Sequence, residues 1–153
     1  FTDPDAVLAS AAIAAAGGRL ERARILSRTA AHVAHGRGQL AREVVCLQAA
    51  AQFGDREVAA ALGALTGQVE GPRIAAATTM ARAVAADDAH QLLAAATQFE
   101  DFGDTIAATD CLTRAARLFR GTGQRTPERD AAARARELRA LSGAVALPPQ
   151  AGA

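Results

Sequence analysis

Apolar residues recur at helical spacing along nearly the whole chain, and almost nowhere at the alternating spacing of a strand. Glycine, proline and aspartate interrupt this pattern in the way that is typical of helix ends and starts. The pattern predicts eight helices, at about residues 4–16, 19–35, 39–53, 56–68, 72–86, 89–102, 105–120 and 126–142.

Several of these helices have recognisable capping residues. Asp3 is a predicted N-cap, followed by Pro4 in the first turn, where a missing N–H costs no hydrogen bond. Asp87 and Asp88 are predicted to cap the sixth helix. The eighth helix is predicted to end at Ser142-Gly143.

The buried face of each helix is predicted from its apolar stripe. Cys46 and Cys111 lie on or near such stripes, where a thiol packs as a small hydrophobic group. In the second helix the predicted stripe consists of Leu20, Ala23, Leu26, Ala30 and Val33.

Turn signals inside successive helix pairs fall at Gly18, Gly54, Asp87 and Gly123, separated by 36, 33 and 36 residues. A two-helix repeat of about 34 residues has the length of a tetratricopeptide unit. The sequence therefore predicts an all-α fold, a right-handed solenoid of about four tetratricopeptide-like helix hairpins. The repeat domain is predicted over residues 1–143, followed by a flexible linker or tail over 144–153. A plain helix bundle is the alternative.

Composition limits the kind of core that such helices can build. The 153 residues include 43 alanines and five phenylalanines, but no Trp or Tyr. Close packing of small side chains is therefore expected instead of interlocking rings. Two cysteines do not make a disulfide framework, so we expect reduced thiols, a cytoplasmic location and no membrane segment. The first residues do not resemble a secretion signal, and we expect the chain to be a piece of a longer protein.

The net charge of +1 conceals a strong asymmetry. Six acids and no arginine lie between Asp87 and Asp110, whereas eight arginines and three acids lie between Cys111 and Ser142. The arginine run is interpreted as a solvated helix face paired with nearby acids, as a contact with the acidic segment, or as a contact with another domain or partner. Direct DNA contact is not expected.

Motifs for catalysis or cofactor binding are not recognisable in this sequence. A phosphate-binding loop of the Walker type needs a lysine, and all 17 basic residues are Arg. His32 and His35 lie one turn apart, but solvent exposure is favoured over a metal site. His90 beside Asp87 and Asp88 is interpreted as part of a normal acidic helix start. We predict no catalytic residue, no metal site and no cofactor.

Five short runs are distinctive within the helical pattern, at residues 36–43, 52–55, 67–72, 99–103 and 131–138. With these runs the chain resembles the tetratricopeptide-like region of MalT-like transcriptional regulators of the LuxR family from high-GC bacteria. The resemblance extends over about residues 4–143. It implies an ATP-binding STAND-type NTPase module before this region and a DNA-binding helix-turn-helix after it.

The function implied by this resemblance is non-enzymatic. The segment is expected to bind a protein, a peptide or a small effector, and to signal occupancy to the neighbouring NTPase and DNA-binding domains. The concave groove of such a solenoid is lined by the first helix of each hairpin. Gln48, Arg73 and Arg117 are the predicted groove residues. The alternatives are a stand-alone helical adaptor or oligomerisation module and, less favoured, an enzyme with its site in the groove.

Overall fold

The computed structural model describes residues 3–146, with side chains up to residue 143. It is all-α, as predicted: within this range there is no strand, only an isolated bridge between Thr66 and Val69. No helix in this range is long and apolar enough to cross a membrane. The helices are α1 Pro4–Ala16, α2 Leu20–Gly36, α3 Leu40–Gln52, α4 Ala59–Leu65, α5 Arg73–Ala86, α6 Ala89–Asp101, α7 Thr105–Gly121 and α8 Arg125–Ala146.

The same turn closes α1, α2, α3, α5, α6 and α7. In each, the first or second residue after the helix has a left-handed backbone, and the N–H of the next residue donates to the carbonyl five positions earlier, at 2.9–3.0 Å. This is the Schellman arrangement, which satisfies carbonyls that the helix end leaves open. The left-handed residues, with φ between +50° and +89°, are Gly18, Gly38, Gly54, Asp87, Gly103 and Gly123.

Left-handed residues form two interleaved series along the chain. Gly18, Gly54, Asp87 and Gly123 follow α1, α3, α5 and α7, at the predicted spacings of 36, 33 and 36 residues. The second series follows the even-numbered helices α2, α4 and α6. Gly38 follows α2 and Gly103 follows α6, while two left-handed glycines, Gly67 and Gly71, lie between α4 and α5. The spacings of this series are 29 and 36 residues through Gly67, or 33 and 32 through Gly71. Odd helices therefore recur with a period close to that of a helix hairpin, and even helices recur with a similar mean period but a wider scatter.

Helices α1 to α5, up to Asp88, form one compact unit. Consecutive helices pack on each other, and α3 also contacts α1 and α5. The buried side chains are mostly small: Ala11, Ala23, Ala30 and Ala50 are completely buried. The alanine content therefore allows the helices of this unit to approach closely, as the composition predicts.

Helices α6 to α8, from Ala89 onwards, form a second compact unit. Helix α7 packs on both α6 and α8. Phe99 and Phe119 are the largest fully buried side chains of this unit, beside Leu92 and Cys111. The rings of Phe99 and Phe119 thus fill volume in this core that alanine side chains are too small to fill.

Four details of the elements differ from the predictions. The fourth helix is shorter, because α4 covers only Ala59–Leu65. The eighth helix runs through Gly143 to Ala146, and the predicted tail over 144–153 therefore begins in helix, while 147–153 lie outside the described residues. Of the two predicted caps of the sixth helix, Asp87 instead ends α5 with φ +50°, and Asp88 directly precedes α6. The division into a repeat domain over 1–143 and a tail stays a prediction.

The fourth difference concerns the buried face of α2. Leu20 of the predicted stripe is 45% exposed, and Leu26 and Val33 are only half-buried. The stripe was misplaced because the sequence pattern weights large apolar residues, whereas close helix packing selects small ones. The buried residues of α2 are Ala23, Ser27, Ala30, Ala31 and Ala34.

Candidate functional site

A cavity of about 300 Å³ opens between α7 and α8. From α7 it takes residues at positions i, i+3, i+4 and i+7, which lie on one helix face. From α8 it takes a matching face, over residues 128–139. The lining residues are Thr113, Ala116, Arg117, Arg120, Glu128, Ala132, Ala135, Arg136 and Arg139.

Small side chains leave the space for this cavity. Ala135 is buried, and Ala116 and Ala132 are half-buried, so three alanines lie where larger residues would fill the gap between the helices. The arginines around them are exposed, which is how a long side chain with a charged end normally lies over apolar surface. The cavity therefore combines alanine walls with guanidinium groups that remain accessible to solvent.

Two of the four arginines are held by neighbours in the cavity. Arg120 Nε lies 3.0 Å from Glu128 Oε1, in an ion pair. Arg139 Nη2 donates a 2.9 Å hydrogen bond to Thr113 Oγ1. These contacts join α7 to α8 and fix two guanidinium groups at the edge of the cavity.

Arg117 and Arg136 make no ion pair or side-chain hydrogen bond within the described part of the chain. One comes from each helix, and both line the cavity. Four arginines against Glu128 leave a formal surplus of three positive charges among the lining residues.

Three other surface depressions are lined by equal numbers of positively and negatively charged residues. A larger one, of about 680 Å³ near the start of α3, contains the single ion pair between Arg42 and Asp5. One of about 240 Å³ beside α2 is lined by three arginines and three acids, and one of about 260 Å³ between α7 and α8 contains Asp110 and Arg139. The cavity around Arg117 is thus distinguished by its charge and not by its size.

The rest of the arginine run includes a residue paired with the acidic segment, which was one of the sequence interpretations. Arg134 Nη2 lies 2.8 Å from Glu100 Oε2, and its Nη1 lies 2.9 Å from Glu137 Oε2. The hydrogen bonds that Arg134 donates to Glu100 and, to a smaller extent, to Glu137 raise the pKa of Arg134. Arg134 thus connects α8 to α6 and is already neutralised by acids of this chain.

The predicted groove residues lie in different parts of the chain. Gln48 of α3 and Arg73 of α5 are brought together, with Arg73 Nη1 donating to Gln48 Oε1 at 2.8 Å. Gln48 is only 4% exposed and also donates from Nε2 to Gln52 Oε1 at 2.9 Å. Arg117 belongs to the second unit, in the cavity just described. Binding by any of the three stays a prediction.

Two histidines considered above for metal binding or acid–base chemistry each contact a side chain of a neighbouring helix. His35 Nδ1 lies 2.9 Å from Glu43 Oε2, and the exposed His90 ring makes a T-shaped contact with the Phe119 ring, with 5.2 Å between centroids. Within residues 3–143 no three His, Cys, Asp or Glu side chains are grouped as metal ligands would be.

The cysteines pack as the sequence predicts, because both are buried and neither forms a disulfide. Burial raises the pKa of the Cys46 thiol to about 11, with the nearby Asp5 carboxylate adding to the effect. Burial likewise raises the pKa of Cys111 to about 12, supported by Asp110. At neutral pH both thiols are protonated, which is not the state of a nucleophile or a metal ligand.

Sequence reasoning found Arg117 but missed the other members of its site. The signal was present in the spacing 113, 116, 117 and 120 on α7 and 132, 135, 136 and 139 on α8, which puts arginines beside alanines on one face of each helix. Which faces meet could not be read from one sequence, because both helices carry arginines on several sides.

Comparison with protein-family models, curated proteins and solved structures finds no significant match to this chain.

Proposed function

We propose that this chain is a non-enzymatic interaction and effector-sensing segment of a larger ATP-binding, LuxR-type transcriptional regulator of the cytoplasm. In this proposal about four tetratricopeptide-like hairpins form a right-handed solenoid between the NTPase and DNA-binding domains. A ligand or partner on the hairpins changes the balance between two states of the regulator.

The observation that carries the proposal is the pair of interleaved turn series. Positions 18, 54, 87 and 123 recur at 33 to 36 residues, and positions 38, 67 or 71, and 103 recur at 29 to 36 residues. Odd and even helices therefore alternate as they do in a stack of hairpins. The packing of α3 on both α1 and α5 supports the same arrangement, since first helices of successive hairpins touch in such stacks. Hairpin stacks offer broad surfaces for binding and are used mainly for interaction.

Mass spectrometry of the native polypeptide tests this proposal. Antibodies against the chain would recover it from the source cells for intact mass and peptide sequencing of its flanks. We expect a polypeptide several times heavier than 15.6 kDa, with an NTPase before this region and a helix-turn-helix after it. A native product of about this mass would overturn the regulator assignment.

Exposed apolar residues favour a second candidate, an oligomerisation module. Ile106 near the start of α7 and Leu141 near the end of α8 are 70% and 60% exposed. A 3.1 Å hydrogen bond between their sequence neighbours Thr105 and Ser142 places them in the same region of the unit. Light scattering coupled to size exclusion tests this candidate: a dimer of the unaltered chain that is lost in Ile106→Ser/Leu141→Ser supports it, and a monomer at all concentrations refutes it.

A further inference from the structure

We propose that the cavity between α7 and α8 binds a small molecule that carries two anionic groups, phosphate or carboxylate, and that Arg117 and Arg136 are its principal binding residues. The inference deepens the proposed function, and depends on it only in calling this ligand an effector.

The charge of the cavity is the first argument. Its lining residues include four arginines and one acid, and two nearby acids, Glu100 and Glu137, are already paired with Arg134. A surplus of three like charges around one cavity destabilises the empty site through mutual repulsion. An anionic ligand relieves this repulsion.

The second argument is the difference between paired and unpaired arginines. Arg120 and Arg139 are oriented by Glu128 and Thr113, and they fix the edge of the site. Arg117 and Arg136 have no such contact among the described residues. Because a guanidinium group presents parallel N–H donors that match two oxygens of a carboxylate or phosphate, each can bind one anionic group. One residue on each helix suits a ligand with two such groups.

The walls of the cavity determine which kind of polyanion fits. None of the nine lining residues is aromatic, so the stacking surface that binds nucleobases is missing from this site. The volume of about 300 Å³ is at the lower end for small-molecule sites. The alanines accept a short aliphatic or bridging segment between the anionic groups. These features favour a small dianion over nucleic acid.

Isothermal titration calorimetry of the whole chain at low ionic strength tests this inference, with pyrophosphate and glutarate as the two probes. We expect saturable binding of at least one probe at one site per chain, and the tighter probe identifies phosphate or carboxylate as the natural group. Arg117→Gln and Arg136→Gln should each weaken binding about tenfold, as expected for loss of a charge-assisted hydrogen-bonding pair.

Matched control variants are available on α8, the helix that carries Arg136. Arg125→Gln and Arg129→Gln remove the same charge from exposed positions of α8 that do not line the cavity, and should change affinity by less than about twofold. Circular dichroism of all four variants verifies that the helices are retained. In ¹⁵N spectra, pyrophosphate or glutarate should shift the amides of Ala116, Ala132 and Ala135.

Several results would overturn the inference. These are no binding of either probe, equal losses in the control variants, or binding only of polyglutamate or DNA, which would assign the arginines to a macromolecular partner instead. Failure here leaves the mass-spectrometric test unaffected, so a wrong ligand class and a wrong parent protein are distinguished.

Discussion

The amide N–H of Gln39 donates a 2.9 Å hydrogen bond to the carbonyl oxygen of Ala34, across a turn in which Gly38 has φ +68°. A side chain in this backbone conformation clashes with the neighbouring carbonyl, so glycine is favoured there. Gly36, two residues earlier, is still in α2 and has an ordinary helical backbone. The two glycines therefore differ in the reason for their presence.

Alanine substitution should separate these two positions. We expect Gly38→Ala to lower the free energy of unfolding by about 1–2 kcal/mol, because the left-handed backbone is retained at a steric cost. Gly36→Ala should be neutral or raise it by up to about 1 kcal/mol, because a Cβ there meets nothing and restricts the unfolded chain. Urea denaturation followed by circular dichroism measures both. Equal effects would show that the turn is not closed as described.

Arg28 and its two acids give a prediction about a buried charge. Arg28 Nε lies 3.3 Å from Oδ2 of Asp55, whose side chain is 4% exposed, and Nη1 lies 3.3 Å from the highly exposed Glu57. Arg28→Met should cost about 1–3 kcal/mol, because it leaves a buried carboxylate without its cation. Glu57→Gln should change stability by less than about 0.5 kcal/mol, since the pair it removes is solvated. Equivalent losses in urea titrations would contradict this difference.

The alanine-rich packing predicts sensitivity to added volume. Ala115 of α7 is completely buried, and Ala140 of α8 is exposed. Ala115→Leu should lower the free energy of unfolding by about 1–3 kcal/mol or more, because the helices have no room for three extra carbons. Ala140→Leu should leave it nearly unchanged. A core that accepts Ala115→Leu without loss would indicate looser packing than these helices show.

The raised pKa values of the two thiols lead to a prediction that the folded chain loses stability at high pH. The chain has no Tyr and its basic residues are all Arg, so the cysteines are the side chains that titrate between about pH 9 and 11. Their folded pKa values, about 11 for Cys46 and about 12 for Cys111, lie above the ordinary value of 9.0. Above pH 9 the unfolded chain therefore releases protons that the folded chain retains, and unfolding becomes more favourable.

The thiols should not change stability below about pH 8 and should lower it as the pH rises further, by at most about 1.4 kcal/mol per pH unit for each thiol. Urea titrations between pH 8 and pH 10.5 measure the slope. The Cys46→Ala/Cys111→Ala variant has a lower starting stability but should lose the slope, because no titrating thiol remains. A slope that persists in this variant would assign the effect to another cause.

The helices were predictable because their ends are chemically marked. Gly18, Gly54 and Gly123 occupy left-handed positions that glycine accepts most readily, and Asp104 accepts a hydrogen bond from the N–H of Ala107 as an N-cap. The predictions of helix ends fail where the same residue type can either begin one helix or end the preceding one. Asp87 is acidic before a helix and therefore suggested a cap, but it serves as the left-handed end of the preceding one.

The candidate site was less predictable, for a reason that concerns packing. Arg117 and Arg134 look alike in sequence, each an exposed helical arginine near alanines, yet Arg134 is paired with Glu100 and Arg117 lines a cavity. Their difference depends on which helix faces lie against each other. Gln48 is a predicted groove residue, and the structure adds that its side chain is buried and accepts a hydrogen bond from Arg73. Its contact with a ligand stays a prediction, because one sequence does not show which helices surround α3.

Three-residue connections between helices also determine which genetic changes this chain can accept. Connections of three residues join four pairs of consecutive helices: α1 to α2, α2 to α3, α6 to α7, and α7 to α8. A single inserted or deleted codon inside a helix would rotate every later residue of that helix by about 100° around its axis, which moves alanines out of the contact and arginines into it. Loops this short cannot absorb the error. During evolution this sequence should therefore change mainly by substitutions that keep its length. Insertions and deletions should be confined to the longer segments on either side of α4.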